Sequence, residues 1–341
     1  MDILKEILRY KSLSIIGNYK NVGKTTTLNY IISKFSHTCK VIGLTSIGVD
    51  GEGRDVVTNT HKPRIYVSKG FLVATAKSCV LKSDITKEIL EVTDFNTPMG
   101  EVIIFRALSD GYVELAGPSI NSQIKYVCDC LNDYGADLSI VDGALSRKTL
   151  CSPSVTDATI FCSGAILNNN MRKAVEQIIF ESSMLNLHSI EDKKFFSLYE
   201  NIKDCKVCIV NDDYTYKILD ISTTLNTHKE VYDVIDDNSK YVFINGAITN
   251  NFIENFMKCG KKYKDVTVLV KDSTKIFLDK DIYDKFITLK GCIKSVDKIN
   301  LIGISINPTS INGYSFDEES FIDSIQSKMD IRVFNVMNFK Y

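Results

Sequence analysis

The stretch Ser14-Ile15-Ile16-Gly17-Asn18-Tyr19-Lys20-Asn21-Val22-Gly23-Lys24-Thr25-Thr26-Thr27 decides how this chain is read. An apolar run stops at a glycine, a short polar loop follows, and Gly23-Lys24-Thr25 leads into Leu28, Ile31 and Ile32 at helical spacing. Strand, loop and helix in that order are the setting in which such a loop binds phosphate. Its backbone amides and the helix N-terminus offer donors and positive potential to a polyphosphate. On this reading Asn18, Tyr19, Lys20, Asn21, Val22, Gly23, Lys24, Thr25 and Thr26 surround the phosphates. Lys24 reaches the β- and γ-phosphates as the catalytic cation, and the Thr25 hydroxyl holds Mg²⁺. One position departs from the usual pattern: Asn18 stands where a glycine is expected, and Gly17 comes one place early. Asparagine tolerates positive φ better than most residues, so the loop can still close.

Working outward, Asp137-Leu138-Ser139-Ile140-Val141-Asp142 reads as a buried strand ending in a carboxylate. Beside the loop strand, Asp142 would hold Mg²⁺; the plainer reading is a cap for the following turn. Arg147 and Lys148 come shortly after, as a phosphate clamp or as a solvated basic pair. A second strand, Lys40–Thr45, runs into a glycine-rich loop carrying Asp50, Glu52 and Asp55. Carboxyl ends of strands are where open α/β sheets bind ligands. Asp50, nearest the strand, is the candidate to orient an attacking water, against the alternative of a plain acidic loop.

Short strands are expected at 64–67, 71–76, 102–107 and 112–116, with a brief helix over 84–90 between them. Ile120, Ile124, Val127 and Leu131 then mark one face of a crossover helix. A strand at 158–162 and a helix over 170–180 follow, and strand–helix–strand repetition argues for a parallel sheet covered on both faces. Polar, charged residues around 189–205 mark a domain boundary, giving 1–195 and 196–341. Strands are expected again at 206–210, 241–245, 266–270, 301–306 and 331–334, with a helix over 317–328. The Asn168-Asn169-Asn170 run follows a strand where a base could be read, though asparagine-rich turns are common.

Composition sets the outer bounds. The 341 residues suffice for two domains, 44% hydrophobic content for a sizeable core, and a formal charge of −1 recruits neither nucleic acid nor anionic membrane. No apolar run has bilayer-spanning length, and Met1-Asp2 does not open a signal peptide. Ten scattered cysteines read as reduced thiols. A soluble cytoplasmic protein is expected. Cys205-Lys206-Val207-Cys208 has redox spacing but leads into a strand rather than opening a helix, and no zinc site or hydrolytic triad can be assembled.

Gly-Lys-Thr-Thr with a strand-terminal aspartate resembles the dethiobiotin synthetase and MinD-type class of P-loop NTPases. The signature lysine of the MinD-type loop would stand at Tyr19, whereas Lys20 is displaced by one, which weakens the analogy to that group's dimeric active site. Four stretches carry a narrower resemblance: Gly17–Thr27, Thr45–Asp55 (TSIGVDGEGRD), Val113–Ser119 (VELAGPS) and Val141–Thr149 (VDGALSRKT). With Phe243–Thr249 (FINGAIT), they are similar to the P-loop subunit of the lysine 5,6-aminomutase reactivase. The resemblance implies a three-layer P-loop domain with a mostly parallel sheet and inserted strands, followed by a second α/β domain. It further implies an ATPase helper, GTP remaining open, with Mg²⁺, a second ATPase subunit and a cobalamin-dependent aminomutase as partners; a homodimer is one possible state. Alternatives are an ATP-dependent ligase or kinase of dethiobiotin-synthetase type, and a nucleotide-binding partner module without turnover.

Overall fold

The computed structural model describes residues 3–48, 64–143, 148–221, 228–258 and 264–338. It divides into two compact units, Met1–Ser182 with Asn300–Tyr341, and Ser183–Ile299. The first unit runs α1 (Ile3–Ile7), β1 (Ser12–Gly17), α2 (Lys24–Phe35), β2 (Ile42–Ser46), β3 (Ile65–Val67), β4 (Leu72–Ala76) and α3 (Lys77–Lys82). It continues through β5 (Lys87–Thr97), β6 (Gly100–Ala107), β7 (Gly111–Val113), α4 (Asn121–Asp133), β8 (Leu138–Asp142), β9 (Ala158–Gly164) and α5 (Met171–Leu185), within which the division falls. The second unit holds α6 (Lys193–Ile202), β10 (Val207–Asn211), β11 (Tyr216–Ile218), α7 (His228–Val234), β12 (Ser239–Ile244) and β13 (Ile248–Thr249). Its remainder is α8 (Asn250–Lys258), β14 (Thr267–Val270), β15 (Ile276–Phe277), α9 (Lys280–Thr288) and β16 (Cys292–Ser295). The chain then returns to the first unit with β17 (Leu301–Asn307), α10 (Glu318–Gln326) and β18 (Val333–Phe334).

The protein is α/β. Nine strands form the main sheet in the order β18-β17-β9-β1-β8-β2-β4-β6-β5. From β18 to β4 neighbouring strands run parallel, and β6 and β5 add an antiparallel edge. β1 is central and buried along its whole length, as a parallel strand covered on both faces must be. Leu28, Ile31, Ile32 and Phe35 of α2 share one apolar cluster with Leu13, Ile15 and Val73. Val127 and Leu131 of α4 share another with Leu72, Ala74, Val102 and Ile104. Because side chains alternate along a strand, Val73 against Leu72 and Ala74 puts these helices on opposite faces. The second unit has its own sheet, β11-β10-β12-β14-β16, parallel from β12 to β16 and antiparallel from β11 to β12.

Two expectations are corrected. The helix over 84–90 is absent: α3 ends at Lys82, and Lys87 onward forms β5, hairpin-paired to β6 with Thr97 opposite Gly100. Gly100 takes φ 101°, which suits it to a tight reversal, and the cross-strand pairing overrides the local helical pattern. The polar stretch at 189–205 contains α6, whose Phe195, Leu198 and Ile202 are buried. The domain division also differs from 1–195 and 196–341. β17 pairs with β9 and β18 with β17, so the C-terminal strands complete the first sheet and the second unit is an insertion. Sequence order cannot reveal which earlier strand a late strand joins.

Candidate phosphate-binding site

Parallel strands β9, β1, β8 and β2 are neighbours and end at the same edge of the sheet. The loop after β1 turns there into α2. Gly23 precedes the helix with φ 91° and ψ 20°, a left-handed conformation that glycine adopts without a Cβ clash. Gly23 offers no side chain to cap this end of α2; the first amides of a helix have no intrahelical acceptor and remain available to an anion. Thr27 Oγ1 and Thr27 N both donate to Gly23 O, at 2.9 and 2.8 Å, pinning the helix start. Ser305 of β17 lies 2.9 Å from the same hydroxyl, and the Cys162 thiol 3.6 Å from it.

The glycine that comes one place early is required where it stands. A Cβ on Gly17 would come within 2.7 Å of Val22 Cγ2 and 3.1 Å of both Cys162 O and Lys24 Cδ. The positive-φ role expected of Asn18 falls instead on Asn21, at φ 59°, whose carbonyl accepts from Asn307 Nδ2 at 3.1 Å. Asn18 does something else. Both polar atoms of its amide are buried and find no partner among the described residues.

Lys24 Nζ donates to Tyr19 O at 3.3 Å across the loop. Burial lowers its pKa, while the Cys162 and Asp142 positions oppose that shift and Lys20 adds to it. Val22 is buried, Lys20, Thr25 and Thr26 are half-buried, and Tyr19 is exposed. Asp142 closes β8, opposite Ile15 of β1 on one side and Ser46 of β2 on the other. Its Oδ1 is buried without a partner among the described residues, and desolvation pushes its pKa up to about 6, against the pull of Lys24. A buried carboxyl with an oxygen that no donor satisfies has the chemistry of a ligand for a hard cation.

Two further residues share this condition that sequence reading did not mark. Thr45 Oγ1 on β2 and Ser163 Oγ on β9 are buried and unpartnered among the described residues. Four adjacent strands, β9, β1, β8 and β2, therefore carry orphaned polar atoms at or just beyond their ends. Buried polar groups are ordinarily satisfied, so such a row makes this edge a candidate ligand site. Only strand adjacency reveals it.

Glycine contacts bring two quoted stretches together. Gly117 N donates to Ser46 Oγ at 3.3 Å, and Gly48 N to Pro118 O at 2.9 Å, so residues 117–119 pack on the end of β2. Gly143 N donates to Ile15 O at 2.9 Å, and a Cβ on Gly143 would come within 2.6 Å of that oxygen. Asp50, Glu52, Asp55 and Arg147 lie outside the described residues; Lys148 opens a short 3-10 turn. One strand over from the loop, a cleft of about 470 Å³ is lined by Ile166, Leu167, Asn168, Asn169, Asn312 and Tyr314. Tyr314 OH fixes its wall by donating to Ala165 O at 2.7 Å.

Among the described residues no three His, Cys, Asp or Glu side chains gather to hold a metal, and no helix is long and apolar enough to cross a membrane. The chain was compared with protein-family models, curated proteins and solved structures, and none of the three yields a match.

Proposed function

We propose that the chain is a Mg²⁺-dependent P-loop nucleoside triphosphatase, with ATP as the nucleotide, whose catalytic site is built on Gly17–Thr26 and Asp142. The observation that carries this reading is Asp142: a buried carboxyl with an oxygen unpartnered among the described residues at the end of β8, near the Lys24 ammonium and beside the loop strand. The loop amides bind the polyphosphate. Lys24, already desolvated, neutralises charge on the transferring phosphoryl group where a low dielectric makes that interaction strong. Thr25 and Asp142 have the oxygen chemistry to hold Mg²⁺, which when bound supplies charge neutralisation between the β- and γ-phosphates. Asp50 is proposed to orient the attacking water and Arg147 to steady the phosphates. The cleft at Asn168, Asn169, Asn312 and Tyr314 has the polar edges and aromatic surface to take the nucleoside.

The work driven by hydrolysis is proposed from the resemblance: a cytoplasmic reactivase subunit that, with a second ATPase, opens a cobalamin-dependent aminomutase and releases damaged cofactor. A ligase or kinase is the second reading, since Ser183–Ile299 forms a compact α/β unit of its own. Purified protein should hydrolyse ATP with Mg²⁺, and Lys24→Ala should lower that rate by roughly 10²-fold or more while circular dichroism and the melting profile stay unchanged. Wild type that neither binds nor hydrolyses ATP or GTP sinks the proposal. Turnover dependent on a small carboxylate would move the assignment to the ligase, and capture of an aminomutase would favour the reactivase.

A further inference from the structure

Met337 lies against the loop. A Cβ placed on Gly23 would come within 2.3 Å of Met337 Cε and 2.5 Å of Sδ, so the thioether is packed on the residue just before Lys24. This contact is long-range: Met337 follows β18, which is separated from β1 by β17 and β9. A second tie comes from the same side, where Asn307 at the end of β17 donates to Asn21 O at 3.1 Å. The two loop residues with positive φ, Asn21 and Gly23, are thus the two held by the C-terminal strands.

Met337 N donates to Asn335 Oδ1 at 2.7 Å, Asn338 Nδ2 to Glu318 Oε2 at 3.3 Å, and Val336 is buried. Methionine is unbranched and has three rotatable bonds, so it can pack on a backbone and withdraw with little strain. A polyphosphate bound at the amides following Gly23 would have this apolar thioether as a neighbour, and a charged group deprived of solvent by an apolar one is disfavoured.

We propose that residues 335–338 form a strap seated on the loop through Met337, and that its seating and nucleotide occupancy of the loop exclude one another. The inference rests on the nucleotide reading above and adds a regulated state to it. When the strap is seated in most molecules, the apparent dissociation constant is raised by the inverse of the unseated fraction. Whatever lifts the segment, nucleotide or partner, then loads the site.

The test is a titration of full-length wild type, Met337→Ala and Met337→Leu with ATP and Mg²⁺. Met337→Ala should bind about fivefold or more tightly if the seated form is dominant, and Met337→Leu, which keeps the bulk, should resemble wild type. In wild type, saturating nucleotide should also speed oxidation of Met337 by dilute peroxide, read by peptide mass. Equal or weaker binding by Met337→Ala, or an unchanged oxidation rate, overturns the strap alone. If none of the three proteins binds nucleotide, the loop reading fails and the strap falls with it.

Discussion

Two aspartates in this protein meet opposite fates. Asp192, the N-cap of α6, is saturated: its Oδ2 accepts from Tyr214 OH and Tyr241 OH at 2.7 Å and from Lys240 Nζ at 3.0 Å. Its Oδ1 accepts from Lys194 N and Phe195 N at 3.0 and 3.2 Å. These donors outweigh desolvation and hold its pKa well below the usual carboxylate range. Asp142 keeps an oxygen without a donor among the described residues, and burial drives its pKa up to about 6. The same side chain completes a network of donors in one unit and is left unsatisfied in the other. An enclosed carboxylate with its donors supplied holds the fold; one without them is a candidate to meet a ligand.

The largest expected difference is catalytic. Lys24→Ala should lower ATP hydrolysis by roughly 10²-fold or more, whereas Lys240→Ala, on the Asp192 side, should leave the turnover of folded protein unchanged in a phosphate-release assay. Loss of hydrolysis in both would show that the two aspartates are not separate in function.

Next comes stability in the ligand-free protein. Asp142→Asn should remove Mg²⁺-dependent nucleotide binding yet raise thermal stability at pH 8, by on the order of 3 kcal/mol for a two-unit shift. Asp192→Ala should do the reverse, costing about 2–3 kcal/mol by stranding Lys240 and two phenols while sparing turnover measured below the melting range. Calorimetry of the two variants reads both.

The pH slopes sharpen the contrast. Asp142 has a raised pKa, so its protonated form is favoured on folding; its contribution is full below about pH 4 and is lost as pH rises through about 6. Asp192 has a lowered pKa, so its contribution is present above about pH 4 and is lost on acidification. Melting curves from pH 3 to 8 should therefore show the Asp142→Asn advantage growing with pH and the Asp192→Ala penalty shrinking as pH falls. Parallel curves would mean that the two carboxyls are equally well satisfied. The smallest effect is expected at Ser163. Removing a hydroxyl unpartnered among the described residues in Ser163→Ala should raise stability by about 1 kcal/mol, and weakened nucleotide binding in that variant would place Ser163 in the site.

Much of the candidate site was legible locally. Gly23-Lys24-Thr25 after an apolar run identified the loop and α2 because strand, turn and helix signals are contiguous there. Asp142 was marked by an apolar run ending in a carboxylate. Asn18 was misread because a pattern assigns residues to slots, while the backbone put positive φ at Asn21 and used Gly17 for close packing. Thr45 and Ser163 could not be found at all. Each is an ordinary strand residue until β2, β8, β1 and β9 are set side by side.

The sequence by itself determined the α/β class, the loop–helix unit around Lys24 and the apolar strand that ends in Asp142, since these follow from periodicity and turn chemistry within short windows. Tertiary structure decided the rest. The hairpin of β5 and β6, the return of β17 and β18 to the first sheet, the row of orphaned oxygens and the seating of Met337 on Gly23 all join residues far apart in the chain. Their pairing energy comes from neighbours that no local window contains.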